Sequence, residues 1–270
     1  MRRPAVGVFD SGFGGLTVLK ALLDLIPGAD YFYFGDTARL PYGSKSAETV
    51  AKYAVEATRY LEHQGSQLIV VACNTATALA LPRIVEGSGV PVVGVIEPGA
   101  ESASASSRNR KVVVIGTDAT ISSHAYRKAL EMRGIEAREK ACPLLVPLVE
   151  EGWTDHAVTE QVAGIYLEEA FSDGFEDGDT LLLGCTHYPL IRSVLGKVAP
   201  PGVTIVDSAQ STAQVVKNLL QTGCKATEEE RRRTPRLKFF ATDSVDKFRT
   251  LGARFLGRKI EEVQHVDLKE

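Results

Sequence analysis

Two cysteines stand apart by the residues that follow them. Cys73 ends the apolar run of LIVVACNTAT and is followed by Asn74, Thr75 and Thr77, while Cys185 ends that of TLLLGCTHYP and is followed by Thr186 and His187. Such hydroxyl and amide side chains hydrogen-bond backbone and ligand groups at a strand-to-helix turn. A cysteine at a helix N-terminus sits in the positive end of the helix dipole, which lowers a thiol pKa from about 8.5 towards neutrality. A thiol so placed can accept or give a proton. The ordinary alternative is a cysteine that only packs; that reading is taken for Cys142 and Cys224. None of the four cysteines forms a CxxC pair, which argues against a zinc knuckle, a thioredoxin-type redox site or a disulfide scaffold and fits reduced thiols in a cytoplasm.

His187, two residues beyond a candidate thiol, has three chemical options: base, substrate ligand or metal ligand. Metal binding needs more ligands than the sequence clusters around it, so no metal is expected. His63, His124, His156 and His265 lack such neighbours and are read as ordinary. The loop DSGFGG, Asp10 to Gly15, follows a strand and opens a helix, where backbone N–H groups can hold an anion. A dinucleotide fingerprint fails there, because Thr17 follows Gly12 and Gly14 where the third glycine belongs and Asp10 would repel a pyrophosphate. Asp10 suits an ammonium group or the tuning of a neighbouring thiol, the plain alternative being a carboxylate that caps the loop. In YFGDTARLPYG, Pro41, Tyr42 and Gly43 make a rigid corner suited to a carboxylate, or simply a turn.

These residues must be positioned by the elements around them. Short apolar runs ending in small or polar residues alternate with stretches of helical period, the pattern of an α/β protein with parallel sheets. Strands are predicted at 5–9, 31–34, 67–72, 90–95, 111–115, 180–183, 203–206 and 237–240, with a weaker one near the C-terminus. Leu16, Leu19, Leu22 and Leu23 follow the first strand at helical spacing until Pro27, and a second helix runs from Ser44 to Gly65. Two segments read as junctions, Glu101 to Arg110 and Cys224 to Arg236, the latter carrying EEERRR. VGVFDSGFGGLT resembles VVVIGTDATISS, and LIVVACNTAT resembles TLLLGCTHYP. That internal repeat predicts two similar α/β domains, each a mainly parallel sheet flanked by helices, with Cys73 and Cys185 on opposite sides of the cleft between them.

Bulk properties are silent about function. The chain has 270 residues, 44% hydrophobic and 24% charged, with net charge −3; these values are ordinary and give no reason to expect a nucleic-acid or membrane-surface partner. The start, MRRPAVGVFDSG, leaves no room for a signal-peptide apolar region. The longest apolar runs fall far below the roughly 20 residues a membrane helix requires.

Taken together and in order, FDSGFGGLTV, GDTARLPYG, ACNTAT, VPLVEEG and GCTHYPL resemble the glutamate branch of the Asp/Glu racemases over nearly the whole chain. The resemblance implies that Cys73 and Cys185 are paired acid/base residues, with Asp10 assisting the first and Glu150 and His187 the second; of the two acids in LVEEG, Glu150 is taken over Glu151. It implies a substrate pocket lined by Asp10, Ser11, Pro41, Tyr42, Gly43, Asn74, Thr75, Thr117, Thr120, Thr186 and His187. It further implies one domain from residues 1–97 with 207–270 and another from 98–206, a cytoplasmic homodimer, glutamate as substrate, and a role in supplying D-glutamate for peptidoglycan.

Inverting a stereocentre without a cofactor requires removing a proton from one face and supplying another from the opposite face, hence two monoprotic groups. Making an α C–H acidic demands that donors neutralise the substrate carboxylate in a water-poor cleft. Asn74, Thr75, Thr186 and backbone N–H groups suit that task. No lysine lies in a context that suggests a pyridoxal Schiff base, so no cofactor is expected. Three rival readings remain: a related aspartate or other amino-acid racemase, a single-nucleophile enzyme whose cysteine is activated by His187, and a non-catalytic amino-acid-binding regulator.

Overall fold

A computed structural model describes residues 3–223 and 234–268. The apolar runs become strands whose side chains are buried on both faces, as parallel strands covered by helices must be. The first sheet is built from β1 (Ala5–Asp10), β2 (Asp30–Gly35), β3 (Leu68–Val71) and β4 (Val92–Gly94), and the second from β5 (Lys111–Gly116), β6 (Glu136–Ala141), β7 (Thr180–Gly184) and β8 (Thr204–Asp207). The chain then returns, and β9 (Leu237–Ala241) and β10 (Gln264–His265) extend the first sheet.

Helices α1 (Leu16–Leu25), α2 (Ala47–His63), α3 (Asn74–Gly87) and α4 (Ile96–Ser106) connect the early strands. The later ones are α5 (Asp118–Ser122), α6 (Ala125–Glu131), α7 (Leu145–Glu150), α8 (Ala157–Ala170), α9 (Arg192–Val198), α10 (Ala209–Gly223) and α11 (Val245–Leu256). Ser46 caps α2 by accepting from the Thr49 N–H, and Gly65, with φ +96°, turns the chain after it.

The strand order carries the repeat. The first sheet runs β10-β9-β2-β1-β3-β4 and the second β6-β5-β7-β8, so β2-β1-β3-β4 has its counterpart strand for strand. Pairing is parallel throughout, with Val8 opposite Tyr33 and Val70 in one sheet and Val114 opposite Glu139 and Leu182 in the other. In both sheets the chain leaves the central pair in opposite directions, which opens a crevice at the carboxyl ends of β1 and β3 and of β5 and β7. Leu16, Leu19 and Leu22 of α1 share one core with Ala213 and Val216 of α10 and with Ile115 and Leu183 of the second sheet. Each such leucine contributes about 1.5–3 kcal/mol, so the burial that holds α1 on its own sheet also joins it to the other.

Two expectations change. Strand β6, EAREKA, was not predicted: it lies at the edge of its sheet and carries charges along much of its length, which an edge strand tolerates and which hides its period. The sequence from Glu101 reads as a junction, yet α4 continues to Ser106, because Ala100 and Ala103 are small enough to be buried against the second sheet's core. The other junction, Cys224 to Arg236, lies outside the described residues as far as residue 233. Among the described residues no helix is long and apolar enough to cross a membrane.

Candidate active site

Cys73 lies one residue beyond β3, after Ala72, and is the N-cap of α3, its Sγ accepting from the Ala76 N–H at 3.4 Å and donating to Ser11 Oγ at 3.4 Å. Ser11 and Asp10 leave the end of β1, the neighbouring strand. Asp10 is buried behind this thiol, one carboxylate oxygen accepting from the Gly12 N–H at 2.9 Å. Burial pushes the Asp10 carboxyl above its usual range, against the charge of His187 and the N–H groups of Gly12 and Gly15. The expected lowering of the Cys73 thiol does not occur. Burial, followed by the Asp10 charge, pushes it up to about 12, outweighing Ser11 and the helix N–H.

Cys185 follows β7, the counterpart of β3, but its surroundings differ. No helix starts on it; His187 precedes a 3-10 turn over Tyr188–Ile191, and α9 comes after. The expected helix dipole is therefore absent from the second thiol. In its place the imidazole Nδ1 of His187 lies 3.9 Å from Sγ, and Nε2 lies 3.4 Å from Glu150 Oε1 at the end of α7. Burial works to lower the His187 pKa, but the contacts with Cys185 and Glu150 prevail and hold it at about 10. For Glu150 burial works upward, and His187 and Lys247 overcome it to hold the carboxyl below its usual range. The ring of Phe255 meets His187 edge-on, with centroids 5.1 Å apart.

Both thiols line one cavity of about 420 Å3, one from each sheet. Of the predicted residues, Ser11, Pro41, Tyr42, Gly43, Asn74, Thr75, Thr117, Glu150, Thr186 and His187 line it too. Asp10 and Thr120 do not. Asp10 stands behind Cys73, and Thr120 is fully buried behind Thr75 and Thr117, closing a ring of three hydroxyls 2.9–3.2 Å apart that spans the two sheets. Asn74 Oδ1 accepts from Tyr126 Oη at 2.6 Å, and among the described residues its Nδ2 donors have no protein partner. Tyr42 donates to the buried Asp36 at 2.5 Å, and Thr242 donates to the other oxygen at 2.9 Å, so the Pro41–Gly43 corner is anchored from below.

Gly14 shows why the DSGFGG loop is glycine-rich. A Cβ there would lie 2.2 Å from Thr186 Oγ1 and 2.6 Å from His187 Nδ1, so this backbone seats directly against the second thiol's loop. Thr17 ties the same junction by donating to the Thr186 carbonyl at 3.2 Å.

Phe13, Thr37, Leu40, Val146, Pro147, Ser244 and Lys247 complete the wall and were not predicted; Glu151, the alternative to Glu150, lies there also. A larger concavity, about 840 Å3, lies between α2 and α3, but neither cysteine nor histidine lines it. Among the described residues no group of three or more His, Cys, Asp or Glu side chains could hold a metal ion. The site can do proton transfer: two sulfurs meet one small cavity, with hydroxyl, amide and backbone groups available to a carboxylate.

A sequence profile described as Asp/Glu/Hydantoin racemase matches residues 16–216. The glutamate racemase of Koribacter versatilis (strain Ellin345) is 57% identical over 286 aligned positions, covering 99% of this chain and 98% of the relative. Glutamate racemase isoform RacE1 from Bacillus anthracis superposes with a TM-score of 0.91 at 38% identity, covering 99% of each chain. The glutamate racemase of Francisella tularensis subsp. tularensis SCHU S4, solved in complex with D-glutamate, gives 0.88 at 36% identity over 98% of each.

Proposed function

The chain belongs to the Asp/Glu/hydantoin racemase family, and from that premise we propose that it interconverts L- and D-glutamate by passing a proton between Cys73 and Cys185. The observation that carries this reading is that thiols from counterpart positions of two similar sheets line the same cavity. One sulfur removes the α proton while the other, on the far side of the substrate, returns one. Each turnover leaves the pair in the opposite protonation state. The relatives named above, one of them with D-glutamate bound, support glutamate as the substrate.

Asp10 adjusts the Cys73 side, and His187 with Glu150 the Cys185 side. The Nδ2 donors of Asn74, the hydroxyls of Ser11, Thr75, Thr117 and Thr186, and the Pro41–Gly43 corner hold the two carboxylates and spread the charge that builds up as the α carbon loses its proton. Thr120 supports Thr75 and Thr117 from behind. We assign one domain to residues 1–97 with 207–270 and the other to 98–206, and we place the protein in the cytoplasm as a homodimer that supplies D-glutamate for peptidoglycan.

The test is to incubate Cys73→Ala and Cys185→Ala with each enantiomer in heavy water, following optical rotation and α deuterium together. Both variants are expected to keep the far-UV spectrum of the parent and to lose racemisation. Substantial turnover by either would refute the two-thiol mechanism, and glutamate binding by the parent without α exchange would refute the assignment as a racemase.

A further inference from the structure

We infer that Lys247 is a positioning residue of this site, holding the Glu150 carboxylate against His187 at the cavity wall. The inference rests on the racemase reading and adds a member to its machinery. Glu150 divides its oxygens: Oε1 lies 3.4 Å from His187 Nε2, and Oε2 lies 3.4 Å from Lys247 Nζ. With His187 Nδ1 3.9 Å from Cys185, four side chains form one file ending at the second thiol. Glu150 is carried by α7 beside the second sheet, whereas Lys247 comes from α11, in the returning segment that follows β9 of the first sheet. The pair therefore crosses the line between the two sheets at the cavity wall, to which both residues belong.

The lysine is itself held in place. Its Nζ stands 5.7 Å from the centroid of Phe13, a buried ring of the DSGFGG loop, and Phe13 packs at 5.6 Å on Phe248, the next residue of α11. Its location also runs against local preference: it lies in the first turn of α11, at the positive end of the helix dipole, where a carboxylate is favoured and a cation is not. Helix formation thus gives no reason for a lysine here, while the Glu150 carboxylate does. Without it, Glu150 would keep one long contact and be free to turn towards solvent, and the imidazole it orients would be less firmly aimed at Cys185.

The experiment uses the full chain with Lys247→Met, Lys247→Arg and Lys247→Glu, measuring kcat and KM for both enantiomers. A pair half-exposed at the lysine and mostly buried at the carboxylate predicts a fall in kcat of about two- to fivefold for Lys247→Met with KM little changed, recovery in Lys247→Arg, and a larger loss in Lys247→Glu, which sets like charges together. A far-UV spectrum and urea midpoint matching the parent separate the loss of rate in Lys247→Glu from unfolding. In a Glu150→Gln background, Lys247→Met is expected to have no further effect. An unchanged kcat in Lys247→Glu, a rise in KM alone, or additive losses in the double variant would each overturn the inference. A parent enzyme that fails to exchange the α hydrogen would instead refute the reading on which it rests.

Discussion

The state of Cys73 in the free protein can be tested by alkylation, because two opposing forces act on that thiol and the structure says which one prevails. The start of α3 pulls its pKa down, while burial and Asp10 push it up to about 12. A thiol of that pKa is ionised to about one part in ten thousand at pH 8, against roughly a quarter for an ordinary cysteine of pKa about 8.5. The ratio is on the order of 2,000; a more basic thiolate is also more nucleophilic, with a Brønsted coefficient of about 0.4–0.5, which returns roughly 30- to 50-fold. Iodoacetamide should then modify Cys73 roughly 50- to 100-fold more slowly than a free thiol at pH 8, before burial slows it further. Because access adds to the delay, the deciding quantity is the pH slope, followed by mass spectrometry on the Cys73 peptide. Its rate should climb about tenfold per pH unit from pH 7 to pH 10 without levelling off. Asp10→Asn, which removes the second cause of the rise, should speed labelling at any fixed pH in that range. A plateau near pH 8 to 9 would refute the reasoning, since it would mean that the helix N-terminus outweighs burial.

Two further outcomes follow from the second thiol's surroundings. His187 is held at about 10 in the folded protein against about 6.5 unfolded, so its contribution is fully present below pH 6.5 and is lost as pH rises through 10. Urea unfolding between pH 6 and pH 10 should show His187→Gln losing less stability than the parent over that window, by an amount on the order of a few kcal/mol; parallel losses would show that the imidazolium is not stabilised by folding. Gly14→Ala would set a methyl 2.2 Å from Thr186 Oγ1 and 2.6 Å from His187 Nδ1. A destabilisation of about 1–3 kcal/mol with a kcat loss beyond tenfold is expected, and a Gly14→Ala enzyme with parental kcat would show that the loop does not seat the imidazole.

The sequence and the structure part company where depth and edge position matter. Central strands were legible because a strand buried on both faces must be a continuous apolar run, as LIVV of β3 and TLLLG of β7 are. Strand β6 was not, since an edge strand has one open side and can carry Glu136, Arg138, Glu139 and Lys140. The thiols and the loops beside them were legible from their repeated polar setting. The sign of the Cys73 shift was not: a motif can place a cysteine at a helix start, but not tell how deeply the folded chain buries it. Lys247 was hidden for another reason. In VDKFRTLGARFL it reads as one more solvated cation on an amphipathic helix, and only the return of the chain to the first sheet brings it to the cavity.

Duplication brings two equivalent strand ends to one cavity, yet it does not make the two thiols equivalent. Cys73 caps a helix and has a buried carboxylate behind it; Cys185 has no helix and stands beside an imidazole that Glu150 orients. On the two-thiol reading this inequality meets a thermodynamic limit. Substrate and product are mirror images, so their equilibrium constant is unity and kcat/KM must be equal in both directions. Unequal thiols therefore cannot drive the reaction one way. They can only divide the same kcat/KM differently, so that the enantiomer bound more tightly is also the one turned over more slowly. The groups that differ between the two sides, Asp10 behind one thiol and the file from Lys247 to His187 beside the other, are where that division is set.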